Sequence, residues 1–146
     1  LYKFRSMSIC HSESDGIFEA GDERRVTSIG RLLRKIKLDE LPQIWNVLRA
    51  EMSFVGPRPE VKKWTECYPE SWKIVHQVRP GITDPASIEF RNESDLLSQA
   101  DDAEKMYREV ILPRKLALYT TYVYQASFIG DIGIILRTFI ALFKLF

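Results

Sequence analysis

The stretch Leu38-Asp-Glu-Leu-Pro-Gln-Ile-Trp-Asn-Val-Leu48 decides how this part of the chain folds, because it joins an acidic pair to a helical repeat. Its apolar residues recur at the i, i+3, i+4, i+7 spacing of one helix face. They are Leu41, Ile44, Trp45 and Leu48. We therefore predict one helix over 38–48 with this face buried. Pro42 falls near its start, where a missing backbone N–H is tolerated.

The flanking segments predict a helix-rich α+β domain with a small sheet. Thr27 or Ser28 can cap a short basic helix that runs to about Lys35. Residues 52–55 are predicted to form a strand that ends at the rigid Gly56-Pro-Arg-Pro59 turn. Further along we predict a mobile loop over 11–23, helical structure over 60–78 broken at Pro69, a loop over 79–83, and helices over 101–110 and 114–125 separated near Pro113.

Length and composition indicate one folded domain. The 146 residues are 45% hydrophobic and 28% charged, and 21 basic minus 20 acidic side chains leave a charge of +1. Two cysteines and two histidines give neither a disulfide framework nor a zinc set, so a reducing compartment is expected. We see no signal peptide and no apolar run of about 18 residues. The start at Leu1 leads us to expect a fragment of a longer protein.

Charge is segregated along the chain. The window 24–37 holds six bases and no acid, whereas 93–109 is mainly acidic and is predicted to be a solvated face. The basic window lacks interleaved aromatic residues and any recognised motif, so we expect no nucleic-acid partner.

The adjacent acids Asp39 and Glu40 are the first candidates for chemistry. At a helix start, free N–H groups and the helix dipole favour ionised carboxylates. An ionised Asp can attack phosphorus and an adjacent Glu can bind Mg²⁺. First-turn acids are also common for purely structural reasons, and the spacing alone leaves both interpretations open.

Several basic residues favour the phosphate interpretation. Arg58 stands between two prolines, and Arg79 precedes another Pro-Gly turn, so each guanidinium is carried on a stiff loop. Further positive charge comes from Lys3, Arg34 and Arg91. Together with the acid pair, these residues fit Mg²⁺-assisted phosphoryl chemistry.

The C-terminal stretch 130–146 predicts an amphipathic helix, whose residues suit a membrane interface and a protein core equally well. Eleven of the fifteen residues 132–146 are apolar, while Arg137 and Lys144 are seven apart and so share one line of a helix. Such a helix can bury its Phe and Leu side chains in a bilayer surface while its bases meet lipid phosphates. A core helix of a soluble domain is the alternative.

Five ordered motifs resemble the bacterial sugar transferase family, the monotopic polyprenyl-phosphate phosphoglycosyl transferases. They are Lys3-Phe-Arg-Ser-Met7, Leu38-Asp-Glu-Leu-Pro-Gln43, Asn46-Val-Leu48, Met52-Ser-Phe-Val-Gly-Pro-Arg-Pro-Glu60 and Arg79-Pro-Gly-Ile-Thr83. The family's N-terminal re-entrant membrane helix has no counterpart in the sequence. Residues 1–146 therefore resemble an N-terminally incomplete catalytic domain.

The resemblance implies transfer of a phosphosugar from a UDP-sugar to a polyprenyl phosphate such as undecaprenyl phosphate. UMP is released, and the product initiates bacterial surface glycan synthesis at the cytoplasmic face of the inner membrane. It implies Asp39 as nucleophile, a covalent phosphosugar intermediate and Glu40 as Mg²⁺ ligand. The residues expected near phosphates are Lys3, Arg34, Arg58, Arg91 and, less closely matched, Arg79. The lipid substrate also favours the membrane interface for the helix over 130–146, so membrane lipids are expected partners. A homo-oligomer stays open.

Two departures from the family pattern bear on the local structure. Ala50-Glu51 stands where Gly-Asp is usual, which concerns a turn that needs glycine geometry. Asp84-Pro85 replaces the glycine that usually follows Gly-Ile-Thr. A Mg²⁺-dependent phosphohydrolase and a noncatalytic peripheral membrane module are the alternative functions.

Overall fold

The computed structural model describes residues 1–8, 26–35 and 38–143, and it confirms the α+β class. The helices are α1 Ser28–Lys35, α2 Gln43–Leu48, α3 Lys62–Thr65, α4 Pro69–Val75, α5 Pro85–Glu89, α6 Glu93–Ser98, α7 Ala103–Met106, α8 Leu112–Gln125 and α9 Phe128–Phe143. The strands are β1 Ser53–Val55 and β2 Gly81–Thr83. A 3-10 turn spans Leu38–Glu40 and a π-helical turn spans Tyr107–Ile111.

The two strands form a parallel sheet in which Ser53 pairs with Gly81 and Val55 with Thr83. The predicted strand over 52–55 is confirmed, but the loop predicted over 79–83 is wrong because its last three residues form β2. Only glycine permits this pairing at position 81, since a Cβ there would lie 2.1 Å from the backbone nitrogen of Gly56. A three-residue strand shows no alternation in the sequence, so its partner decides it.

The single helix predicted over 38–48 is wrong in its continuity and in its buried face. A turn at Leu41 and Pro42 separates the 3-10 turn from α2. Of the predicted core face, Leu48 is 72% exposed and the other three members are exposed or half-exposed; the buried side chains of α2 are Gln43 and Asn46.

Hydrogen bonds explain why Asn46 faces inward. Its Oδ1 accepts from the backbone N–H of Tyr2 at 3.0 Å, and its Nδ2 donates to Glu51 at 2.7 Å. Buried amides require such partners, and here a chain segment more than forty residues away supplies one.

The basic helix α1 begins as predicted. Thr27 accepts a hydrogen bond from the backbone N–H of Gly30 at 2.9 Å, which is an N-cap. An isolated antiparallel bridge joins Met7 to Val26 and holds the start of the chain beside α1. The loop predicted over 11–23 lies outside the described residues.

Ala50 adopts a left-handed backbone with φ of 59° at the end of α2. Its N–H donates to the carbonyl of Val47, and the N–H of Glu51 donates to that of Asn46. Helices commonly end in this conformation, with glycine as the preferred residue. The substitution of glycine by alanine noted in the sequence therefore falls on a position that does need positive φ.

The main core lies between α4 and α8 and is rich in aromatic residues. The rings of Trp64 and Tyr107 have centroids 4.8 Å apart, and those of Trp72 and Tyr119 are 6.2 Å apart. Buried Ile111, Leu112 and Leu116 complete its centre. The break predicted at Pro69 is confirmed, because α3 ends at Thr65 and α4 begins with that proline.

The break predicted near Pro113 is wrong. Helical backbone runs from α7 through the π-helical turn into α8, with Pro113 in the first turn of α8. Proline lacks an N–H and clashes with the preceding turn of a regular helix. A wider π turn directly before it accommodates this clash without ending the helix.

Helix α9 begins at Phe128, two residues before the predicted boundary. It is fastened to the sheet by a 2.7 Å hydrogen bond between the hydroxyls of Thr83 and Thr138. Its outward side exposes apolar residues, namely Phe128, Ile129, Ile132, Leu136, Phe139 and Ile140. Across residues 1–8, 26–35 and 38–143, no helix is both long and apolar enough to cross a bilayer. Lys144, one base of the predicted stripe, lies outside this range.

Candidate active site

The acid pair lies buried on the 3-10 turn rather than in the first turn of an α-helix. Asp39 is 2% exposed and Glu40 is 7% exposed. A 3-10 turn of three residues lacks the dipole of a long helix. The stabilisation of these carboxylates that we expected from a helix dipole is therefore missing. Buried carboxylates require opposite charges and hydrogen bonds, and the surrounding residues provide both.

Lys3 is the first cation at the pair. Its Nζ lies 2.9 Å from Oδ2 of Asp39 and 3.4 Å from Oε1 of Glu40. The neighbouring Phe4 donates its N–H to the Asp39 carbonyl at 2.9 Å, so the chain start is tied to the turn that carries the acids. Lys3 therefore lies beside the acid pair, and its role near phosphates stays a prediction.

Arg58 is the second cation and grips Glu40 with both terminal nitrogens. One donates to Oε2 at 3.2 Å and the other to Oε1. Burial by itself lowers the pKa of Arg58. The hydrogen bond and charge of Glu40, together with the charge of Asp84, outweigh this effect, so the pKa lies above its ordinary value. The guanidinium is permanently charged, and the prolines on either side hold it in place.

The remaining predicted cations are arranged less directly. Arg34 donates from Nε to the buried hydroxyl of Ser6 at 2.8 Å, and its helix α1 packs against the acid turn. Arg91 donates to the carbonyl of Ala141 in α9 at 2.8 Å. Arg79 is exposed and does not line the cavity described below.

A cavity of about 500 Å³ opens beside the acid turn. Glu40, Arg58 and Arg91 line it, together with parts of α2, β2, α5, α6, α8 and α9. Its wall mixes apolar side chains such as Phe54 and Ile88 with charged and hydroxyl groups. A cleft of this size with a few convergent polar groups is the usual form of a small-molecule site.

Three polar residues of this region were not among the predicted site residues. Asp84 is 0% exposed and accepts from the N–H of Ser87 at 2.8 Å and from its hydroxyl, which caps α5. Burial raises the pKa of Asp84, while the Ser87 hydrogen bonds and the Arg58 charge oppose the rise. The sequence feature that could have identified Asp84 as a helix cap is its position directly before Pro85, since proline favours the first position of a helix.

Glu93 and Lys115 are the other two. They line the cavity, and Lys115 Nζ lies 3.0 Å from Oε2 of Glu93. Glu93 therefore departs from the solvated acidic face predicted over 93–109. No spacing signal links residues 22 positions apart on different helices.

The donor chemistry fits Mg²⁺ held jointly by protein and substrate. Within the part of the chain that the structure describes, no three His, Cys, Asp or Glu side chains converge on one metal position. Mg²⁺ characteristically takes one or two carboxylates and completes its shell with waters and substrate phosphates. Glu40, on the cavity wall, supplies one such carboxylate.

The sequence profile of the bacterial sugar transferase family matches residues 1–145. The chain belongs to the bacterial sugar transferase family. The match extends over nearly the whole of it and includes the acid turn, the Pro-Arg-Pro loop and both strands.

Individual relatives agree with this membership. The uncharacterized sugar transferase EpsL of Bacillus subtilis is 45% identical over 92 residues, 63% of this chain and 45% of the relative. A UDP-glucose:undecaprenyl-phosphate glucose-1-phosphate transferase of Klebsiella pneumoniae is 40% identical over 105 residues, 69% and 23%. The exopolysaccharide production protein ExoY of Sinorhizobium fredii is 34% identical over 135 residues, 92% and 53%. This sugar transferase chain thus spans between 23% and 53% of these relatives.

Proposed function

We propose that this protein transfers a phosphosugar from a UDP-sugar to a polyprenyl phosphate such as undecaprenyl phosphate and releases UMP. The observation that carries the proposal is the buried Asp39–Glu40 pair, which Lys3 and Arg58 hold, with Glu40 and Arg58 on the wall of a cavity. The name of the Klebsiella pneumoniae relative supports the two substrates, and that of the Sinorhizobium fredii relative supports a role in making exopolysaccharide.

In the first half-reaction Asp39 is the nucleophile. An oxygen of its carboxylate attacks the sugar-linked phosphorus of the donor, and the bond from that phosphorus to the bridging oxygen breaks. The bridging oxygen keeps the bonding electron pair and leaves as part of UMP. An aspartyl phosphosugar then remains on the protein.

In the second half-reaction the acceptor regenerates the enzyme. A phosphate oxygen of the polyprenyl phosphate attacks the same phosphorus, and the bond to Asp39 breaks. The carboxylate recovers its electron pair, and the product is a polyprenyl diphosphosugar. Using one site for both substrates in turn avoids placing two phosphate-bearing molecules there together.

Lys3 and Arg58 supply fixed positive charge where phosphates arrive. The Arg58 guanidinium suits two parallel hydrogen bonds to a phosphate, and Lys3 lies within 2.9 Å of the attacking carboxylate. Arg91 adds charge at the cavity wall and Arg34 adds it from α1. The exposed position of Arg79 gives it no part in this proposal.

We further propose that Glu40 holds Mg²⁺ together with the donor phosphates. When bound, the ion would neutralise charge on the diphosphate and make UMP a better leaving group. Arg58 and Lys3, which pair with Glu40 in this structure, would then be available to donate to phosphate oxygens.

The acceptor places the protein at a membrane. We propose that the exposed apolar side of α9 lies in the interface of the cytoplasmic face of the inner membrane, with Arg137 near lipid phosphates. A polyprenyl phosphate has its phosphate at the bilayer surface and its apolar chain inside the bilayer. A catalytic site next to a helix that lies in the interface is at the right depth to receive that phosphate.

The test is release of UMP by the purified protein from UDP-glucose, UDP-galactose and their 2-acetamido derivatives, with and without polyprenyl phosphate. Wild type is expected to give lipid-linked product, and Asp39→Asn is expected to lose at least about 10³-fold of turnover because its nucleophile is gone. Mass spectrometry without acceptor should find the phosphosugar on Asp39. The exposed Asp101→Asn is the matched control and should retain full activity.

Two outcomes contradict the proposal. If the sugar phosphate appears only as free product although acceptor is present, water resolves the intermediate and the protein is a phosphohydrolase. If Asp39→Asn changes no measurable function, the domain is a noncatalytic membrane module.

A further inference from the structure

The cavity beside the acid turn contains a second charged pair that the proposed reaction does not use. Glu93 on α6 and Lys115 on α8 line the same cavity as Glu40 and Arg58, with Nζ of Lys115 3.0 Å from Oε2 of Glu93. The Lys115 side chain is 8% exposed, and burying an ammonium group at this depth is costly. A cation kept there needs a structural or a binding reason.

A chain of hydrogen bonds through Tyr107 and Glu60 holds the Lys115 side of the pair in place. Lys115 also donates to the hydroxyl of Tyr107 at 3.3 Å, and that hydroxyl donates to Oε2 of Glu60 at 2.5 Å. Burial and the Glu60 carboxylate raise the pKa of Tyr107 far above its ordinary value, so the hydroxyl keeps its proton. Glu60 is two residues beyond Arg58, so both charged pairs of the cavity are anchored through one loop.

The π-helical turn makes this arrangement possible. Residues eight apart in a regular α-helix point about 80° away from each other. The wider π turn over Tyr107–Ile111 rotates the chain less per residue, which brings Tyr107 and Lys115 onto one face of the helix. π turns of this kind are frequent at functional sites.

The pair retains hydrogen-bonding capacity. An ammonium group has three donors, and the described contacts of Lys115 use two of them, to Glu93 and Tyr107. Oε2 of Glu93 accepts from Lys115, and within the described part of the chain no hydrogen-bond donor reaches Oε1. The neighbouring Ser94 adds a hydroxyl to the cavity wall. A donor and an acceptor therefore stand next to each other on the cavity surface.

We propose that Glu93 and Lys115 bind hydroxyl groups of the donor's sugar and determine which hexose is accepted. This rests on the proposed function. A hydroxyl both donates and accepts, so it satisfies the carboxylate and the ammonium together. A phosphate cannot, because the Glu93 carboxylate repels it. The sugar stays in the site through both half-reactions, so a rigid subsite for it serves each of them.

The test uses the UDP-hexose that is turned over fastest in the screen above, together with its monodeoxy analogues. Wild type is expected to prefer the parent sugar over at least one analogue by about tenfold or more in kcat/KM, because loss of one hydroxyl leaves a charged group unpaired. In Glu93→Gln the ratio of kcat/KM for the parent sugar to kcat/KM for the same analogue should fall towards one. The inhibition constant of UMP and the KM for polyprenyl phosphate should stay as in wild type.

Glu89→Gln is the matched control, since Glu89 is exposed on α5 and does not line the cavity. It should keep the wild-type preference. Thermal unfolding of both variants separates a local effect from a loss of the fold, and Glu93 is accessible enough for the isosteric change to be tolerated.

Two results overturn the inference. In one, Glu93→Gln keeps every deoxy preference of wild type. In the other, the variant weakens inhibition by UMP by the same factor as it changes donor use, which assigns the pair to the uridine. Failure of the proposed function is a different result, namely no release of UMP by wild type from any UDP-sugar.

Discussion

At the scale of single residues, the site is defined by how Glu40 is held. Arg58 donates two parallel hydrogen bonds to Glu40 and Lys3 adds a second positive charge. The negative charge of this nearly buried carboxylate is therefore balanced. Asp84, also buried, sits close enough for its charge to act on Arg58. The charges of this small region are therefore coupled, and changing one alters the others.

We predict that Arg58→Lys lowers kcat/KM for UMP release by about tenfold or more. Lysine keeps the charge but loses the fork that makes two parallel bonds to a carboxylate or phosphate. Steady-state release of UMP from the accepted UDP-sugar measures the effect. Arg49→Lys is the control, because the Arg49–Glu51 pair is half exposed and away from the cavity. Equal activity of the two variants would show that the fork has no catalytic role.

The stability of the protein should depend on Asp84 and pH in a defined direction. Because burial raises the pKa of Asp84 in the folded state, the folded state binds its proton more tightly than the unfolded state does. The contribution of this group to stability is therefore greatest at low pH. It is lost as pH rises from about 4 through the raised pKa.

Asp84→Asn removes this titration, so we predict that its Tm gains on wild type as pH increases from about 4 to 7. Melting curves at several pH values measure the difference, and Asp101→Asn should show no such trend. A pH-independent difference for Asp84→Asn would contradict the raised pKa.

At the scale of secondary-structure elements, α2 shows how tertiary contacts override a periodic pattern. Its apolar spacing is genuine, but Asn46 and Gln43 are the side chains that turn inward. The apolar side of the helix is exposed and lies next to the cavity through Ile44. The helix ends at Ala50 in a left-handed turn whose geometry suits glycine better than alanine.

We predict that Ala50→Gly stabilises the protein by about 0.5–1 kcal/mol, because the left-handed conformation costs an L-residue more than the added chain entropy costs glycine. Ala117→Gly, at an exposed position inside α8, should destabilise it by about 0.5–1 kcal/mol. Urea unfolding of the two variants compares the same substitution at two backbone conformations. Destabilisation in both would contradict the left-handed turn.

At the scale of the whole molecule, the sheet, α5 and α9 enclose the cavity, and α9 adds an apolar outer side. The hydroxyl pair Thr83–Thr138 and the bond from Arg91 to Ala141 fasten that helix near its C-terminal half. Close to its start, Tyr122 donates to Asp131 at 3.0 Å. One face of α9 thus helps to form the cavity wall, while the other is available to a lipid surface.

We predict that replacing Ile132, Leu136 and Phe139 together with serine lowers binding to vesicles of anionic phospholipid by about tenfold or more. These side chains are about half exposed, and their burial in the interface contributes most of the binding free energy. Co-sedimentation with vesicles measures it. Serine at the exposed residues Glu66, Glu70 and Asp101 provides a control with equal numbers of changes, and equal loss in both would contradict a specific role of α9.

The sequence by itself determined the features that neighbouring residues decide. Three such features are the Thr27 cap, the strand after α2 and the break at Pro69, which follow from local geometry and residue type. Capping, breaking and strand propensity act over a few residues, so local spacing reveals them. The ordered motifs were sufficient for the family.

Only the tertiary structure decided which side of α2 is buried, that Gly81–Thr83 pairs with β1, and that helical backbone continues past Pro113. It also brought Glu93 to Lys115 and Lys3 to Asp39, pairs separated by 22 and 36 positions. Burial and ion pairing depend on which distant segment supplies the partner, because a polar group is stable inside only where its hydrogen bonds are met. That condition belongs to the assembled fold and not to any stretch of the chain.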